Sequence, residues 1–189
     1  MTKILLVNAC VRPNSRTYEL ANYVLGKILS KEDGIVEEVK LYDEDLWPLT
    51  LTELVIRDKA SKDNDYSGDL FKLAKQFANA EIIVVAAPYW DLSFPAVVKS
   101  YFEKVTVNGL TFRYGSNGIP QGLCLGKKLY YVTTSGGPII NNFGYDYVTA
   151  LAKNFYGISE TFCVKAEGLD IYGADVNKIM DDAKKAFDY

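Results

Sequence analysis

The stretch that decides the fold is residues 3–17, which read KILLVNACVRPNSRT. Its first part, residues 3–8, predicts a short strand, and the unbroken apolar run at 4–7 is typical of a parallel β-strand buried on both faces. A polar loop follows, and residues 15–17 then offer side chains that cap helix N-termini. Apolar residues continue at helical spacing to Leu29. We therefore predict a strand, a loop and a helix, which together are the repeating unit of an α/β sheet.

The same alternation continues along the rest of the chain. Strands that alternate with helices form a doubly wound parallel sheet with helices on both faces and right-handed crossovers. We predict five strands in the order 2-1-3-4-5, for which the ligand crevice lies at the carboxyl ends of strands one, three and four. The further strands are predicted at 35–41, 81–87, 128–134 and 160–166, and the further helices at about 67–79, 95–105, 142–155 and 174–187.

Two segments interrupt this alternation. Residues 43–65 predict a long surface loop that holds one helical turn near Glu53. Residues 109–126 separate the third helix from the fourth strand, and the run Thr111-Phe112-Arg113-Tyr114 within them is too aromatic for a passive linker. No internal repeat or low-complexity linker divides the chain, so residues 1–189 are predicted to form one domain.

Composition excludes several classes of function. A net charge of −3 argues against a nucleic-acid binder, which needs basic residues to neutralise phosphates. The absence of histidine excludes Ser-His-Asp and Cys-His catalysis, and the three cysteines have no metal-ligand spacing, so no metal site is expected. The first apolar run is too short for a signal peptide, and no stretch is long enough to span a bilayer. We therefore expect a soluble, cytoplasmic protein.

The three loops at the predicted crevice each carry features of a binding site. The first combines hydroxyl groups and arginine at a helix N-terminus, which favours an anion. The second places a proline and two aromatic residues where they can hold a flat ring. The third contains adjacent glycines, whose N–H groups can approach a ligand closely. The candidate residues are Cys10, Arg12, Ser15, Arg16 and Thr17 in the first loop, Pro88, Tyr89, Trp90, Asp91 and Leu92 in the second, and Thr134, Ser135, Gly136 and Gly137 in the third.

Each loop alone also has an ordinary structural explanation. The first may be read as a capped helix with solvated arginines, the second as aromatic packing over the sheet end, and the third as a common Gly-Gly turn. All three, however, coincide at one sheet edge. A phosphate cradle, an aromatic ring clamp and an amide-rich turn together describe a site for flavin mononucleotide (FMN). Its phosphate is predicted at the first loop and its isoalloxazine ring between the other two.

The chain resembles the FMN-dependent NADH-azoreductase family, within the larger flavodoxin-like group of NAD(P)H:quinone oxidoreductases. The resemblance covers nearly the whole chain and is strongest from 87 to 137. It implies tightly bound FMN, NADH or NADPH as the donor, and quinone or azo acceptors. It also implies a ping-pong cycle in which the flavin N5 carries hydride, and a homodimer with FMN at the interface. The segments that carry it are 87–95, 99–103, 111–114, 126–128, 133–137 and 155–158.

The resemblance also assigns an acceptor pocket, to which a neighbouring subunit contributes. Tyr114 is the candidate proton donor, because the chain has no histidine. The family often has Tyr-Asn where this chain has Trp90-Asp91. Two alternatives follow for this aspartate: its carboxylate shifts the reduction potential of the flavin, or it faces away and only the backbone N–H serves the ring. The pocket residues implied are Phe94, Phe112, Tyr114, Phe143 and Tyr145.

Two alternatives share parts of this pattern. Cys10 and Arg16 have the Cys-x5-Arg spacing of low-molecular-weight protein tyrosine phosphatases, in which a thiolate attacks a bound phosphate. Against this, Pro13 lacks an N–H where that cradle needs one, and no Asp-Pro acid loop occurs late in the chain. The other alternative is a flavodoxin-type electron carrier. Such carriers tend to be more acidic and lack an aromatic insert like residues 109–126.

Overall fold

The computed structural model describes all 189 residues, Met1–Tyr189, and contains seven strands and six α-helices. In chain order these are β1 (Thr2–Asn8), α1 (Arg16–Leu29), β2 (Gly34–Lys40), α2 (Leu51–Asp63), α3 (Lys72–Asn79), β3 (Ile82–Ala86), α4 (Ala96–Val105), β4 (Phe112–Tyr114), β5 (Pro120–Gly122), β6 (Lys128–Thr134), α5 (Phe143–Leu151), β7 (Glu160–Ala166) and α6 (Val176–Lys185).

Five of these strands form one parallel sheet in the order β2-β1-β3-β6-β7. This is the predicted order 2-1-3-4-5, because β4 and β5 lie outside the main sheet and form a separate antiparallel pair. The prediction of a doubly wound parallel sheet is confirmed. Each strand of the main sheet also lies within one residue of its predicted bounds, since continuous apolar runs mark buried parallel strands well.

The helices cover both faces of the sheet. Successive side chains in a strand point to opposite faces, so Leu5 and Val7 join one core cluster while Ile4 and Leu6 join the other. The first cluster is completed by residues of α3, α4 and α5, and the second by residues of α1 and α6. The central strand β3 is buried along its whole length. None of the helices combines the length and apolarity that crossing a membrane requires.

The prediction of a long loop at 43–65 was wrong, because α2 occupies most of it. Thr50 and Glu53 form a reciprocal capping box at its start, and Asn64 ends it in the left-handed region at φ 51°. Only Ala60 is buried among the helix's 13 residues, so the segment has no apolar stripe to reveal a helix. Polar contacts hold it instead. Arg57 donates to backbone carbonyls at the end of α4, at 2.8 Å to that of Lys104.

The other helices differ from prediction mainly at their ends. The segment predicted as the second helix, at about 67–79, is a 3₁₀ turn at Asp69–Phe71 followed by the shorter α3. Helix α5 ends at Leu151, and a π-helical turn, Ala152–Tyr156, continues to the end of the predicted range. The aromatic insert at 109–126 contains the β4–β5 hairpin. Its buried Phe112 packs edge-on against Phe155, with 5.1 Å between the ring centroids.

Candidate functional site

A cavity of about 370 Å³, here called the first cavity, opens at the carboxyl ends of β1, β3 and β6. The sheet order places these three ends together, because β1 and β6 both pair with β3. Of the predicted ligand residues, only Asp91, Leu92 and Gly137 lie outside its lining. The lining residues are Cys10, Val11, Arg12, Asn14, Ser15, Arg16, Thr17, Pro88, Tyr89, Trp90, Thr134, Ser135, Gly136, Leu169 and Asp170.

One end of the first cavity is formed by the N-terminus of α1. Ser15 caps this helix by accepting a hydrogen bond from the Tyr18 N–H at 3.3 Å. The N–H groups of Arg16 and Thr17 have no acceptor within the chain, so they are available to a ligand. The positive end of the helix dipole adds to these donors. Together they form a site suited to an anion such as phosphate.

Three buried polar side chains fix the shape of this end. The Asn8 side-chain oxygen accepts from the Cys10 N–H at 2.8 Å and so holds the start of the first loop. The Thr17 hydroxyl lies 2.6 Å from the Thr134 hydroxyl, which joins the start of α1 to the end of β6. Both threonines are buried. The predicted first and third loops are therefore tied to each other across the cavity.

Arg16 is engaged by a segment that sequence reasoning missed. Its Nη1 donates to Asp170 Oδ1 at 2.9 Å and to the Leu169 carbonyl at 3.4 Å, while its Nε and Nη2 have no partner in the chain. Residues 167–171 follow β7 and fold over the third loop through backbone bonds, including Asp170 N–H to the Gly136 carbonyl at 2.9 Å. Their position after the fifth strand, at the same sheet edge, is the signal that could have found them.

The loop after β3 is a tight, strained turn. Trp90 and Ser93 exchange two backbone hydrogen bonds, at 3.1 and 2.8 Å, around the central residues Asp91 and Leu92. Both central residues have positive φ, 50° and 67°, which is the conformation of a type I′ turn. A leucine in this region carries a strain that typically persists only where its surroundings enforce it. The N–H groups of Asp91 and Leu92 have no acceptor in the chain.

The two glycines of the third loop differ in how much room the surrounding chain leaves for a side chain. A Cβ at Gly136 would lie 2.4 Å from Asp170 Oδ2, so the Asp170 side chain would have to move to admit any other residue there. A Cβ at Gly137 would meet no atom within 4 Å, so the chain does not require glycine at that position. The N–H groups of both glycines lack acceptors in the chain. Room beside free donors is what the close approach of a ligand would need.

The five predicted acceptor-pocket residues do not line the first cavity of a single chain. Tyr114 and Phe143 are more than half exposed, and the Phe143 N–H donates to the Leu92 carbonyl at 3.1 Å, which brings α5 to the strained turn. Phe94, Phe112 and Tyr145 are engaged in packing or hydrogen bonds within the chain. Their assignment to an acceptor pocket stays a prediction.

The cysteine in the first loop has the wrong electrostatic surroundings for a nucleophile. Burial, opposed by a hydrogen bond with Ser15 and reinforced by the Glu38 carboxylate, raises the pKa of the Cys10 thiol above its ordinary value. Catalytic cysteines instead have a lowered pKa, which maintains the thiolate at neutral pH. The Cys-x5-Arg spacing is therefore present without the activation that phosphatase chemistry needs.

Comparison with known proteins agrees with this geometry. Residues 2–188 match the profile of a family described as having the flavodoxin-like fold. The FMN-dependent NADH:quinone oxidoreductase of Coprothermobacter proteolyticus is 36% identical, over 98% of this chain and 96% of the relative. The enzyme of the same name from Lachnoclostridium phytofermentans is 32% identical over the same shares.

Solved structures show the same architecture. An azoreductase from Bacillus anthracis strain Sterne has a TM-score of 0.81 at 24% identity. The alignment covers 98% of this chain and 96% of the azoreductase chain. An FMN-dependent NADH-azoreductase from Bacillus anthracis in complex with FMN has a TM-score of 0.78 at 20% identity, covering 98% of this chain and 95% of its own. At these identities the similarity establishes the fold.

Proposed function

Because the chain belongs to the family with the flavodoxin-like fold, and its relatives are FMN-dependent NADH:quinone oxidoreductases, we propose that it is an FMN-dependent oxidoreductase. It passes two electrons from NADH or NADPH to quinone or azo acceptors, and residues 1–189 form one FMN-binding domain. The observation that carries the proposal is the set of backbone N–H groups without acceptors in the three loops around the first cavity. Bound FMN supplies the two-electron chemistry.

The residues present fit the two chemically different ends of FMN. At the phosphate end, the free N–H groups of Arg16 and Thr17 lie at the positive end of α1, and Arg12 adds a cation without an ion-pair partner. At the ring end, the free N–H groups of Gly136 and Gly137 suit the carbonyl oxygens of the pyrimidine. Donors placed there in advance also stabilise negative charge that develops at that side during reaction.

The strained turn supports the ring from another side. Trp90 is 39% exposed and lines the cavity, and the turn's free N–H groups of Asp91 and Leu92 face no acceptor of the chain. An aromatic side chain and exposed amides can hold a flat heterocycle by stacking and hydrogen bonding. Donor and acceptor would use the same open face in turn, so the proposed kinetics are ping-pong. Water or Tyr114 would supply protons.

We further propose a homodimer that works in the cytoplasm, where NADH is produced. Exposed apolar side chains support the dimer, because patches of this kind mark interaction surfaces. Leu51 and Val55 of α2 and the preceding Trp47 are 79%, 59% and 72% exposed. Tyr114 and Phe143 are exposed as well, so a second subunit could bring them to an acceptor pocket.

The proposed function is tested with the purified protein. It should carry FMN, lose its flavin absorbance when NADH is added without oxygen, and oxidise NADH rapidly when a quinone is present. An electron carrier would need a separate reductase for that last step, so unaided turnover separates the two functions. A colourless protein that hydrolyses p-nitrophenyl phosphate would overturn the proposal.

A further inference from the structure

A second cavity, of about 340 Å³, lies against the other side of the loop after β1. It shares Cys10, Val11 and Arg12 with the first cavity, so the same three residues border both. The rest of its lining comes from the ends of β1 and β2, the loop after β1, the first turn of α1 and the segment that follows β2. These residues are Asn8, Pro13, Tyr18, Lys40, Tyr42 and Asp43.

The second cavity contains two cationic side chains that could pair with an anion. Arg12 and Lys40 line it, and neither forms an ion pair within the chain. Asp43 is the one carboxylate in the lining. The nearby Glu38 is already engaged, because it accepts from the Asn8 amide at 2.7 Å and from the Tyr18 hydroxyl at 3.5 Å. Two cations without ion pairs therefore line the cavity, and its negative groups are Asp43 in the lining and the hydrogen-bonded Glu38 beside it.

The same lining offers groups for a base and a sugar. Tyr42 is 45% exposed, so its ring has a face available for stacking on a flat heterocycle. The Asp43 carboxylate can accept hydrogen bonds from ribose hydroxyls or an exocyclic amino group. The cavity volume of 340 Å³ lies at the lower end of the range of about 300–1,000 Å³ for small-molecule sites.

We propose that the second cavity is a subsite for an adenylate group, that is, adenine with its ribose and phosphate. The inference rests on the proposed function, which puts the cofactor phosphate on the other side of Arg12. Lys40 and Arg12 pair with the adenylate phosphate, and the Tyr42 ring stacks on the adenine. Two molecules could bring this group: a flavin cofactor in its dinucleotide form, FAD, or the nicotinamide dinucleotide donor.

The first experiment titrates AMP into FMN-loaded protein and measures binding by calorimetry. Lys40→Gln or Tyr42→Leu should weaken AMP binding by roughly tenfold, the usual effect of losing a charge-assisted contact or a stacking partner. Lys3→Gln is the matched control, because Lys3 lies at the amino end of β1, whereas both cavities lie at the carboxyl ends of the strands. Absence of saturable AMP binding, equal losses in Lys40→Gln and Lys3→Gln, or release of FMN by AMP would each overturn the inference.

The second experiment identifies the source of the group. If FAD supplies it, Lys40→Gln weakens FAD binding to the apoprotein and leaves FMN binding unchanged. If the donor supplies it, the same change raises KM for NADH but not for reduced nicotinamide mononucleotide. If neither changes, the inference is wrong. Wild-type protein that binds FMN and reduces quinone while ignoring AMP refutes only the subsite, whereas protein that cannot bind FMN refutes the proposed function.

Discussion

Gly137 offers the sharpest test of where the flavin ring lies. No atom of the chain would come within 4 Å of a Cβ at this position, and its φ lies outside the left-handed region. The Cβ of a valine therefore meets no clash and needs no left-handed backbone in the apoprotein. We expect Gly137→Val to change the free energy of unfolding by no more than about 0.5 kcal/mol, as for most surface substitutions.

The effect on FMN binding should be much larger. The valine methyl groups would occupy the space beside the free N–H groups of Gly136 and Gly137. Losing two hydrogen bonds of about 1 kcal/mol each weakens binding by about 2 kcal/mol, or roughly thirtyfold in Kd. Quenching of FMN fluorescence on titration of the apoprotein measures this Kd directly.

A matched control is available in another loop. Gly68 also has no atom within 4 Å of its would-be Cβ and has no positive φ, but it lies before α3 and away from the first cavity. Gly68→Val should leave both the unfolding free energy and the Kd for FMN unchanged. If Gly137→Val binds FMN as tightly as the wild type, the ring does not lie against the third loop and the placement is refuted.

Three further predictions address the rim of the site, the anchor of α2 and the cysteine. Asp170→Asn frees Arg16 Nη1 and removes a negative charge at the cavity. FMN should therefore bind severalfold more tightly than to the wild type at low salt, and this gain should shrink at high salt, which screens the charge. Weaker FMN binding would mean that Asp170 orients Arg16. The hydrogen bond from Lys104, with that from Thr50, lowers the pKa of Glu53 to about 2 from an ordinary 4.5. The stabilisation that ionised Glu53 gives to the folded protein is therefore full above pH 4.5 and disappears as the pH falls towards 2. Denaturant unfolding should therefore show Glu53→Gln less stable than wild type at pH 7 and equal to it near pH 2. Cys10→Ser should retain FMN binding and NADH-dependent quinone reduction, and loss of both would contradict the passive role given to the thiol.

The fold was predictable because its central strands carry their own signal. Residues 82–85 are a β-branched run, and every one of them is buried in β3. Helix α2 carries no such signal, since a single buried alanine cannot set a period. It is held by the capping box at Thr50 and by Arg57, whose acceptors are backbone carbonyls distant in sequence. Those contacts depend on the tertiary fold, so they cannot be read from the local pattern.

The candidate site was predictable to the extent that side-chain types reveal it. Segment 167–171 joins the third loop through backbone groups, which any residue type can supply. Its position after the last strand, with Gly168 at φ 81°, is therefore the signal that marks it. In the aromatic insert the side-chain types are conspicuous, but they fit more than one role. Phe112 is a predicted pocket residue whose ring packs on Phe155 within the chain. Core packing and ligand stacking use the same side chains, so residue type alone does not separate the two roles.

The phosphate end of the site cannot by itself distinguish a flavoenzyme from a Cys-x5-Arg phosphatase, since both need free amides and an arginine at a helix N-terminus. Two other observations separate them. A phosphatase needs an ionised thiol, whereas burial raises the pKa of Cys10. A phosphatase also has no use for the free amides of Gly136 and Gly137 in the third loop, after β6. A ligand that has both a phosphate and a polar ring accounts for both ends together.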